Sequence, residues 1–514
     1  MAQRTAVSLT GEDLELEQVW AVAVGREQAA LAGSARDRML AAREVVERTG
    51  HGSGEHTYGV NTGVGRFVSR PIPEPLADEL QLRLLRSHAA GVGEPYPDEI
   101  VRAAMLMRVN ALAKGCSGAR VETVELLLEC LNRGVLPRVP SRGSVGASGD
   151  LAPLAHLALP LVGEGEAWVD GRLLPGAEAL AKVGLEPVAL TAKEGLSLVN
   201  GTQFMAAFAA LGLARARRLA KAADLACAQS LEALQGSRTS FLPQIHELRP
   251  LRGQLASAAN VFRLLADSAI IESHRWCDKV QDAYSLRCAA QVHGAARDLL
   301  DYIDYTVGVE LNAATDNPLV LVDDGMLVSN GNFHGQPLAF ALDVLAMAAS
   351  ELANISERRV ERLVNPSLSE GLPAFLTRDG GLNSGFMIPQ YVAASLVSEN
   401  KVLCHPASVD SIPTSAGQED HVSMGNAAGI KAWQVLANAE HVLAIELLAG
   451  AQAVEFLAPL EPGVGVRATR EAVRALSPRL RDDRPLAPDI ETVASALRDG
   501  SLVAAVEQVV GPLT

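Results

Sequence analysis

The chain has few of the residues that build disulfide scaffolds or zinc ribbons. It contains 6 cysteines among 514 residues, and no two of them form a C-x-x-C pair. A disulfide framework or a zinc ribbon is therefore disfavoured and a reducing compartment is favoured, so we expect a cytoplasmic protein. The amino-terminal residues join no basic end to an apolar stretch, and we expect no signal peptide there.

Positive charge and long uncharged runs are also scarce. The chain has 45 Lys and Arg against 60 Asp and Glu, which gives a formal net charge of −15. Because nucleic acid binding needs a basic surface, we expect no nucleic acid partner. The most apolar late segment is interrupted by Glu440 and Glu446, and no segment has the uncharged length of a membrane span. We therefore expect no membrane partner either.

Aromatic residues make up only 4% of the chain, whereas hydrophobic residues, mainly Ala and Leu, bring the apolar total to 48%. That mixture favours helix over strand. Segments 201–235 and 432–456 are expected to be long helices, and 338–363 is expected to end at Asn365-Pro366. In 338–363 an apolar stripe repeats at three and four residues and comprises Leu338, Leu342, Leu345, Ala349, Leu352, Ile355 and Arg359. Helices of about 25 residues are about 37 Å long and typical of bundles.

The composition also changes along the chain. Up to about residue 200, helical patches alternate with Gly and Pro loops, and after it long alanine-rich helices dominate. We predict an N-terminal domain over 1–200 and a long-helix bundle domain over 201–514. A short β-hairpin is predicted near 318–328, where apolar β-branched residues meet the turn Asp323-Asp324-Gly325.

The most informative motif lies between residues 143 and 154, where small residues precede an aspartate and apolar residues follow. Its sequence is Gly-Ser-Val-Gly-Ala-Ser-Gly-Asp-Leu-Ala-Pro-Leu. It resembles the cofactor-forming segment of the histidine and aromatic amino-acid ammonia-lyases. The resemblance implies that Ala147, Ser148 and Gly149 cyclise into a 4-methylidene-imidazol-5-one, with no external cofactor. Glycine suits the attacking nitrogen because it lacks Cβ and tolerates positive φ. An ordinary turn is the alternative.

The same resemblance implies a fold and an assembly. The expected fold is mainly α, with a long-helix bundle core of the fumarase/aspartase-like type and a smaller, mixed but mostly helical N-terminal domain. The expected assembly is a homotetramer whose active sites are shared between subunits, and long striped helices suit a core shared between protomers.

A second motif runs from Tyr58 to Gly65 as Tyr-Gly-Val-Asn-Thr-Gly-Val-Gly. As a dinucleotide fingerprint it fails, because the third glycine is missing and no strong strand precedes it. It resembles the tyrosine loop of the lyases, which implies that the phenol of Tyr58 removes the substrate β-proton. A phenolate at pH 7 costs about 4 kcal/mol, so the site has to stabilise it. A solvated surface tyrosine is the alternative.

Two residues match positions that contact the substrate ring. His88 follows Arg-Ser, and Glu419 lies in Gln-Glu-Asp-His. The resemblance implies that both hold an imidazole, and a carboxylate is a strong acceptor for a ring N–H. Phenylalanine and tyrosine lyases tend to carry an amide in place of Glu419. A structural histidine and a salt bridge or helix cap are the alternatives.

Five further positions match the family. Asn200 and Arg287 would bind the substrate carboxylate. Gln281 matches a substrate-binding position and Tyr284 a catalytic one. Phe333 would pack against the reactive ring. A planar guanidinium suits a carboxylate because it donates two parallel hydrogen bonds. A helix cap for Asn200, a surface salt bridge for Arg287 and a core position for Phe333 are the alternatives.

Matches extend in order from Tyr58 to Met424, and the last residues match as well. The resemblance therefore implies elimination of ammonia from L-histidine to give trans-urocanate, the first step of histidine degradation. Two alternatives stay open: a tyrosine or phenylalanine ammonia-lyase or aminomutase, and a non-catalytic helical protein on the same scaffold. Residues 51–56, with a histidine at each end, lack an H-E-x-x-H frame, and we predict no metal site.

Overall fold

A computed structural model of the chain describes residues 6–50 and 57–514. The fold is mainly helical, as predicted. The helices of the first two hundred residues are α1 (Leu16–Ala23), α2 (Gly33–Gly50), α3 (Ala77–His88), α4 (Asp98–Ala113), α5 (Val121–Asn132), α6 (Leu151–Ala158), α7 (Gly176–Lys182) and α8 (Glu194–Val199). The later ones are α9 (Gln203–Ala233), α10 (Pro243–Glu247), α11 (Arg252–Leu264), α12 (Ala269–Ser273), α13 (Tyr284–Arg287), α14 (Ala289–Glu310), α15 (Gln336–Val364), α16 (Met387–Leu403), α17 (Gly425–Val454), α18 (Val464–Leu476), α19 (Ala487–Asp499) and α20 (Ser501–Val510).

The strands are short and form small separate sheets. They are β1 (Val7–Leu9), β2 (Ala29–Leu31), β3 (Val92–Pro95), β4 (Leu136–Pro137), β5 (Pro140–Arg142), β6 (Glu166–Val169), β7 (Arg172–Pro175), β8 (Leu319–Leu321) and β9 (Met326–Val328). β1 and β2 pair in parallel, whereas β3–β5, β4–β6–β7 and β8–β9 are antiparallel. The β8–β9 pair, with Val320 opposite Leu327, confirms the hairpin predicted for 318–328.

The chain divides into two compact units. The first comprises 1–211, 304–343 and 406–430, and the second comprises 212–303, 344–405 and 431–514. Each unit is therefore assembled from segments that are distant in sequence. The domain boundary after residue 200 stays a prediction.

The three long helices predicted from apolar periodicity are present as α9, α15 and α17. The predicted stripe of α15, including Arg359, is buried along its whole length. Among the described residues, α15 is the one helix long and apolar enough to cross a bilayer, yet 72% of its most apolar stretch is buried inside the protein. It is a core helix, whose polar Asp343 accepts a hydrogen bond from the Ser408 N–H at 2.8 Å.

Candidate active site

The loop that carries residues 147–149 is pressed against the chain before α9. The Asp150 N–H donates to the Gly201 carbonyl at 2.7 Å. Gly149 has φ +72°, and a Cβ built on it would lie 2.0 Å from that same carbonyl oxygen. Only glycine fits such a position, because both the positive φ and the contact exclude a side chain.

Hydrogen bonds hold the rest of this loop from several directions. The Ser144 hydroxyl donates to the Asp150 carboxylate at 3.0 Å, and the Ser423 hydroxyl donates to the Gly146 carbonyl at 2.9 Å. The Met424 N–H also donates to the Val145 carbonyl at 2.9 Å. The backbone on either side of residue 148 is therefore fixed in a tight bend.

Asp150 links this loop to the start of α9. Its carboxylate accepts the N–H groups of Phe204 at 2.9 Å and Met205 at 3.0 Å. These donors belong to the helix N-terminus, where a negative charge is stabilised. Burial raises the pKa of Asp150 to about 6, and the two N–H groups and the Ser144 hydroxyl oppose that rise.

Beside the loop lies a cavity of about 470 Å³. Five of the predicted site residues, Tyr58, His88, Ser148, Asn200 and Glu419, line it together. The apolar part of its lining comes from Val64, Phe67, Leu151, Leu196 and Ala416. A mostly apolar cavity with a few convergent polar groups is the usual form of a small-molecule site.

The phenol of Tyr58 accepts a hydrogen bond from the Gly65 N–H at 3.2 Å. Burial raises the pKa of this phenol, the Gly65 N–H opposes the rise, and the negative charge of Glu419 adds to it. The backbone amide thus stabilises a phenolate, but the surroundings as a whole favour the neutral phenol.

His88 lies at the end of α3 and has a defined hydrogen-bond partner. Its Nδ1 is 2.9 Å from the Leu84 carbonyl, which can only accept, so Nδ1 carries the proton. Burial lowers the pKa of His88, while the Leu84 carbonyl and the Glu419 carboxylate oppose that change. The neutral ring that results at pH 7 has Nε2 as a hydrogen-bond acceptor.

Glu419 is half-buried and both of its carboxylate oxygens have hydroxyl partners. Oε1 accepts from Ser148 at 3.1 Å, and Oε2 accepts from Thr414 at 2.6 Å. The turn between Thr414 and Glu419 brings the two residues together, and it contains Ser415 and Ala416 at φ +50° and +53°. The carboxylate is therefore held in one orientation beside residue 148.

Asn200 is buried at the carboxyl end of α8, where its backbone N–H donates to the Leu196 carbonyl at 3.0 Å. Its side-chain amide donates to the Asn317 carbonyl at 3.0 Å. The side-chain oxygen has no hydrogen-bond partner within the described residues. Asn200 is thus both a helix cap and a cavity residue with a free acceptor.

The other predicted residues are placed elsewhere. Phe333 is half-buried in the first unit and is not among the described residues that line the cavity. Gln281, Tyr284 and Arg287 belong to the second unit. There the Arg287 guanidinium donates to Gln281 at 2.8 Å and lies 4.7 Å from the centre of the Tyr284 ring, which is 72% exposed. Gln281 and Arg287 line a separate cavity of about 520 Å³.

The contacts of the site that the sequence analysis missed include those of Thr414, Gly65 and Leu196. Thr414, which holds Glu419, carries no signal of its own beyond its place five residues earlier. Gly65 lies inside the motif that begins at Tyr58, so its role as the partner of the phenol was within reach, and Leu196, part of the cavity wall, lies four residues before Asn200. The histidine-flanked segment 51–56 lies outside the described residues, and the absence of a metal site there stays a prediction.

Comparison with known proteins gives one consistent result. The family model of the aromatic amino acid lyases matches residues 14–475. The histidine ammonia-lyase of Gloeobacter violaceus is 57% identical over 505 residues, which are 98% of each chain. The crystal structure of histidine ammonia-lyase from Trypanosoma cruzi matches with a TM-score of 0.91 and 44% identity, over 98% of this chain and 96% of that one. A tyrosine aminomutase from Streptomyces globisporus matches with a TM-score of 0.93 and 39% identity, over 98% and 99% of the two chains.

Proposed function

The chain belongs to the aromatic amino acid lyase family, where it groups with the histidine ammonia-lyases, and we propose that it eliminates ammonia from L-histidine to give trans-urocanate. The observation that carries this proposal is the cavity in which Tyr58, His88, Glu419 and Asn200 surround residue 148. These side chains offer a base and two acceptors for a substrate ring at one place.

Members of this family use a methylidene-imidazolone group. We assign its formation to Ala147, Ser148 and Gly149, and the tight bend of this loop supports the assignment. Closure of the ring joins the Gly149 nitrogen to the Ala147 carbonyl carbon, and the positive φ of Gly149 and the lack of room for a Cβ beside Gly201 require glycine at the position of the attacking nitrogen. When formed, the group supplies an electrophilic carbon that takes the substrate amino group and makes it a better leaving group.

Tyr58 is the proposed base for the β-proton. In the free site its phenol is neutral, because burial and Glu419 raise its pKa. The Gly65 N–H stabilises the phenolate when it forms, and a substrate ring N–H on Glu419 reduces the repulsion from that carboxylate.

Glu419 and His88 are the proposed ring ligands. Both offer acceptors, the carboxylate of Glu419 and the Nε2 of a neutral His88. An imidazole N–H or a phenol O–H can donate to such groups, whereas a phenyl ring cannot. This favours histidine over phenylalanine. Tyrosine is the second candidate, because a tyrosine aminomutase has nearly the same fold.

The polar end of the substrate needs further partners. The free side-chain oxygen of Asn200 can accept from an N–H donor such as the substrate amino group. The side-chain NH2 group of Asn200 and the Arg287 guanidinium can both donate to the substrate carboxylate. Gln281 and Tyr284 would act with Arg287, and Phe333 would pack near the reactive group. We assign the role of Arg287 to a site completed by a partner subunit in a homotetramer.

Exposed apolar residues in the second unit support this assembly. Trp276 is 89% exposed, Val280 93% and Tyr284 72%, and all three lie within nine residues of one another. Such patches on a protomer usually mark a protein interface. The compartment we propose is the cytoplasm, because all six cysteines are free.

The test combines the mass of the peptide that spans Ser148 with the ammonia-lyase activity of the protein. We expect the peptide spanning Ser148 to be short of its sequence mass by two waters. We also expect the protein to convert histidine to urocanate, followed by ultraviolet absorbance, and to form no cinnamate from phenylalanine. Ser148→Ala has no hydroxyl to eliminate, so its peptide should be short of no more than the one water of ring closure, and the variant should lose nearly all turnover. A wild-type peptide of unmodified mass in a fully active protein would overturn the cofactor assignment. Faster elimination of ammonia from tyrosine than from histidine would make tyrosine the substrate.

A further inference from the structure

Glu419 touches the residue from which the reactive group is made. Its Oε1 accepts the Ser148 hydroxyl at 3.1 Å, and its Oε2 accepts the Thr414 hydroxyl at 2.6 Å. The two bonds join a loop at residue 148 to a turn 271 residues later in the chain. A substrate ligand has no need of a contact with the unmodified serine, so this contact suggests a second task for Glu419.

The Ser148 hydroxyl is the group that leaves when the proposed cofactor forms. After ring closure and loss of the first water, the Cα–H and Cβ–Oγ bonds of Ser148 break. The C–H electron pair becomes the Cα=Cβ double bond. The Cα proton passes to solvent, and the hydroxyl takes one proton from solvent and leaves as the second water. Atoms and electrons balance, and no oxidant or co-reactant is needed.

An acceptor on the hydroxyl restricts rotation about the Ser148 Cα–Cβ bond, since side chains otherwise populate three staggered positions. Fixing the leaving group in one of them promotes elimination in the same way as any orientation of reacting bonds. Thr414 contributes by fixing the carboxylate itself, through the hydroxyl contact and through its backbone N–H, which donates to the Glu419 carbonyl at 2.9 Å.

We infer that Glu419 is a positioning residue for cofactor formation before it is a ligand of the substrate. Its Oε1 first holds the Ser148 hydroxyl and, once that hydroxyl has left as water, accepts an N–H of the substrate imidazole. The inference rests on the proposed function, because it assumes that residues 147–149 dehydrate. It adds that the reaction which makes the electrophile also frees the carboxylate oxygen that selects the substrate ring.

Two variants at residue 419 separate the two tasks. Glu419→Gln keeps an oxygen that can accept the Ser148 hydroxyl but removes the charge, whereas Glu419→Leu removes the acceptor. Tyr58→Phe is the matched control, because Tyr58 lines the same cavity and has no hydrogen bond to Ser148 among those of the described residues. The proteins are made by cell-free synthesis and sampled over time, and the mass of the peptide spanning residue 148 is measured after digestion. Urocanate binding is then measured by calorimetry on the proteins at the end of this time course.

We expect Glu419→Leu to accumulate a peptide short of one water, with loss of the second slowed by about tenfold. Glu419→Gln and Tyr58→Phe should lose both waters at close to the wild-type rate, and Glu419→Gln should bind urocanate about tenfold more weakly, as expected for loss of a charged hydrogen bond. Equal thermal unfolding midpoints exclude a general folding defect as the cause.

Loss of both waters from Glu419→Leu at the wild-type rate would overturn this inference and leave the proposed function intact. Slow loss of the second water from Tyr58→Phe would also overturn the inference, because slow dehydration would then not depend on the contact with Ser148. If the wild-type protein loses no water, the proposed cofactor itself fails.

Discussion

At the scale of single residues, the carboxylate of Glu419 favours binding of the substrate ring and opposes ionisation of the proposed base. In the proposed function Glu419 accepts an N–H of the imidazole, and its negative charge raises the pKa of the Tyr58 phenol, which is the proposed base. A substrate that donates to Glu419 relieves part of that repulsion. The base is therefore expected to become active mainly when the correct ring is bound, which couples ring recognition to proton removal.

This coupling predicts a pH profile. The pKa of Tyr58 is raised in the free site, so kcat/KM for histidine, which reports groups of the free enzyme, should increase with pH into the alkaline range. In Glu419→Gln the Coulombic contribution is absent, so the alkaline rise should move to lower pH although the activity itself is weaker. The measurement is kcat/KM against pH for both proteins. A rise at the same or higher pH in the variant would show that Glu419 does not act on the phenol.

Asp150 predicts a pH effect on stability. Its folded pKa of about 6 lies above the unfolded value of about 3.9, so the folded state binds the proton more tightly between these values. The contribution of Asp150 to stability is therefore greatest below about pH 4 and is lost as the pH rises to about 6. Asp150→Asn cannot titrate, so the difference in thermal midpoint between wild type and variant should shift in favour of the variant across this window. A constant difference from pH 4 to 6 would contradict this account.

At the scale of helices and loops, the sequence predicts the apolar elements best. The periodic stripe at 338–363 and the long helix predicted at 201–235 correspond to α15 and α9 within two residues at each end. The helix α17 begins seven residues before the predicted start at 432, and these additional turns contain Gly425 and Gly429. In the structure a Cβ on Gly429 would lie 2.7 Å from the Phe208 ring, so this glycine serves close packing inside a helix.

The polar contacts of the site could not be predicted in the same way. Five site residues were found through the family resemblance and line one cavity, but periodicity does not report which hydroxyl touches which carboxylate. The contact between Thr414 and Glu419 depends on left-handed backbone at Ser415 and Ala416, residue types that rarely adopt it. Such conformations are imposed by the surrounding structure and leave no pattern in the sequence.

A buried ion pair joins α15 and α17 within the second unit. Arg359 donates to both carboxylate oxygens of Glu446 at 2.5 and 2.8 Å, and both side chains are fully buried. Arg359 also donates to the Ser285 carbonyl at 3.3 Å, next to Tyr284. The pair therefore supports both the helix packing and the segment that carries Gln281 and Arg287.

Breaking this pair should cost far more than breaking an exposed one. Arg359→Met leaves Glu446 charged and buried, and we expect a loss of about 3–5 kcal/mol in the free energy of unfolding. The matched control is Arg83→Met, since Arg83 is 70% exposed and pairs with Glu79 one turn earlier in α3, where a loss of about 0.5 kcal/mol is expected. Denaturant unfolding of both variants measures the two values, and similar losses would show that burial does not decide the contribution of the pair.

At the scale of the whole molecule, the placement of the predicted residues leads to the proposed assembly. The proposed acceptors for the ring belong to the first unit, and Arg287, a proposed ligand of the substrate carboxylate, belongs to the second. If a site combines the first unit of one subunit with the second unit of another, a defect in either unit inactivates the proposed homotetramer. A mixture of the two defective chains, however, contains some sites in which both contributing units are intact.

This arrangement can be tested by complementation. Ser148→Ala and Arg287→Met should each be nearly inactive as pure tetramers. Unfolded together and refolded as a mixture, they should regain a clear fraction of wild-type activity, because some interfaces pair an intact residue 148 with an intact Arg287 from the partner subunit. Mixing the two proteins after separate refolding is the control and should restore nothing, and size-exclusion chromatography with light scattering establishes that the mixed species are tetramers. Mixed tetramers without activity would mean that each site takes both residues from one chain, and Arg287 would then have to reach residue 148 within its own subunit.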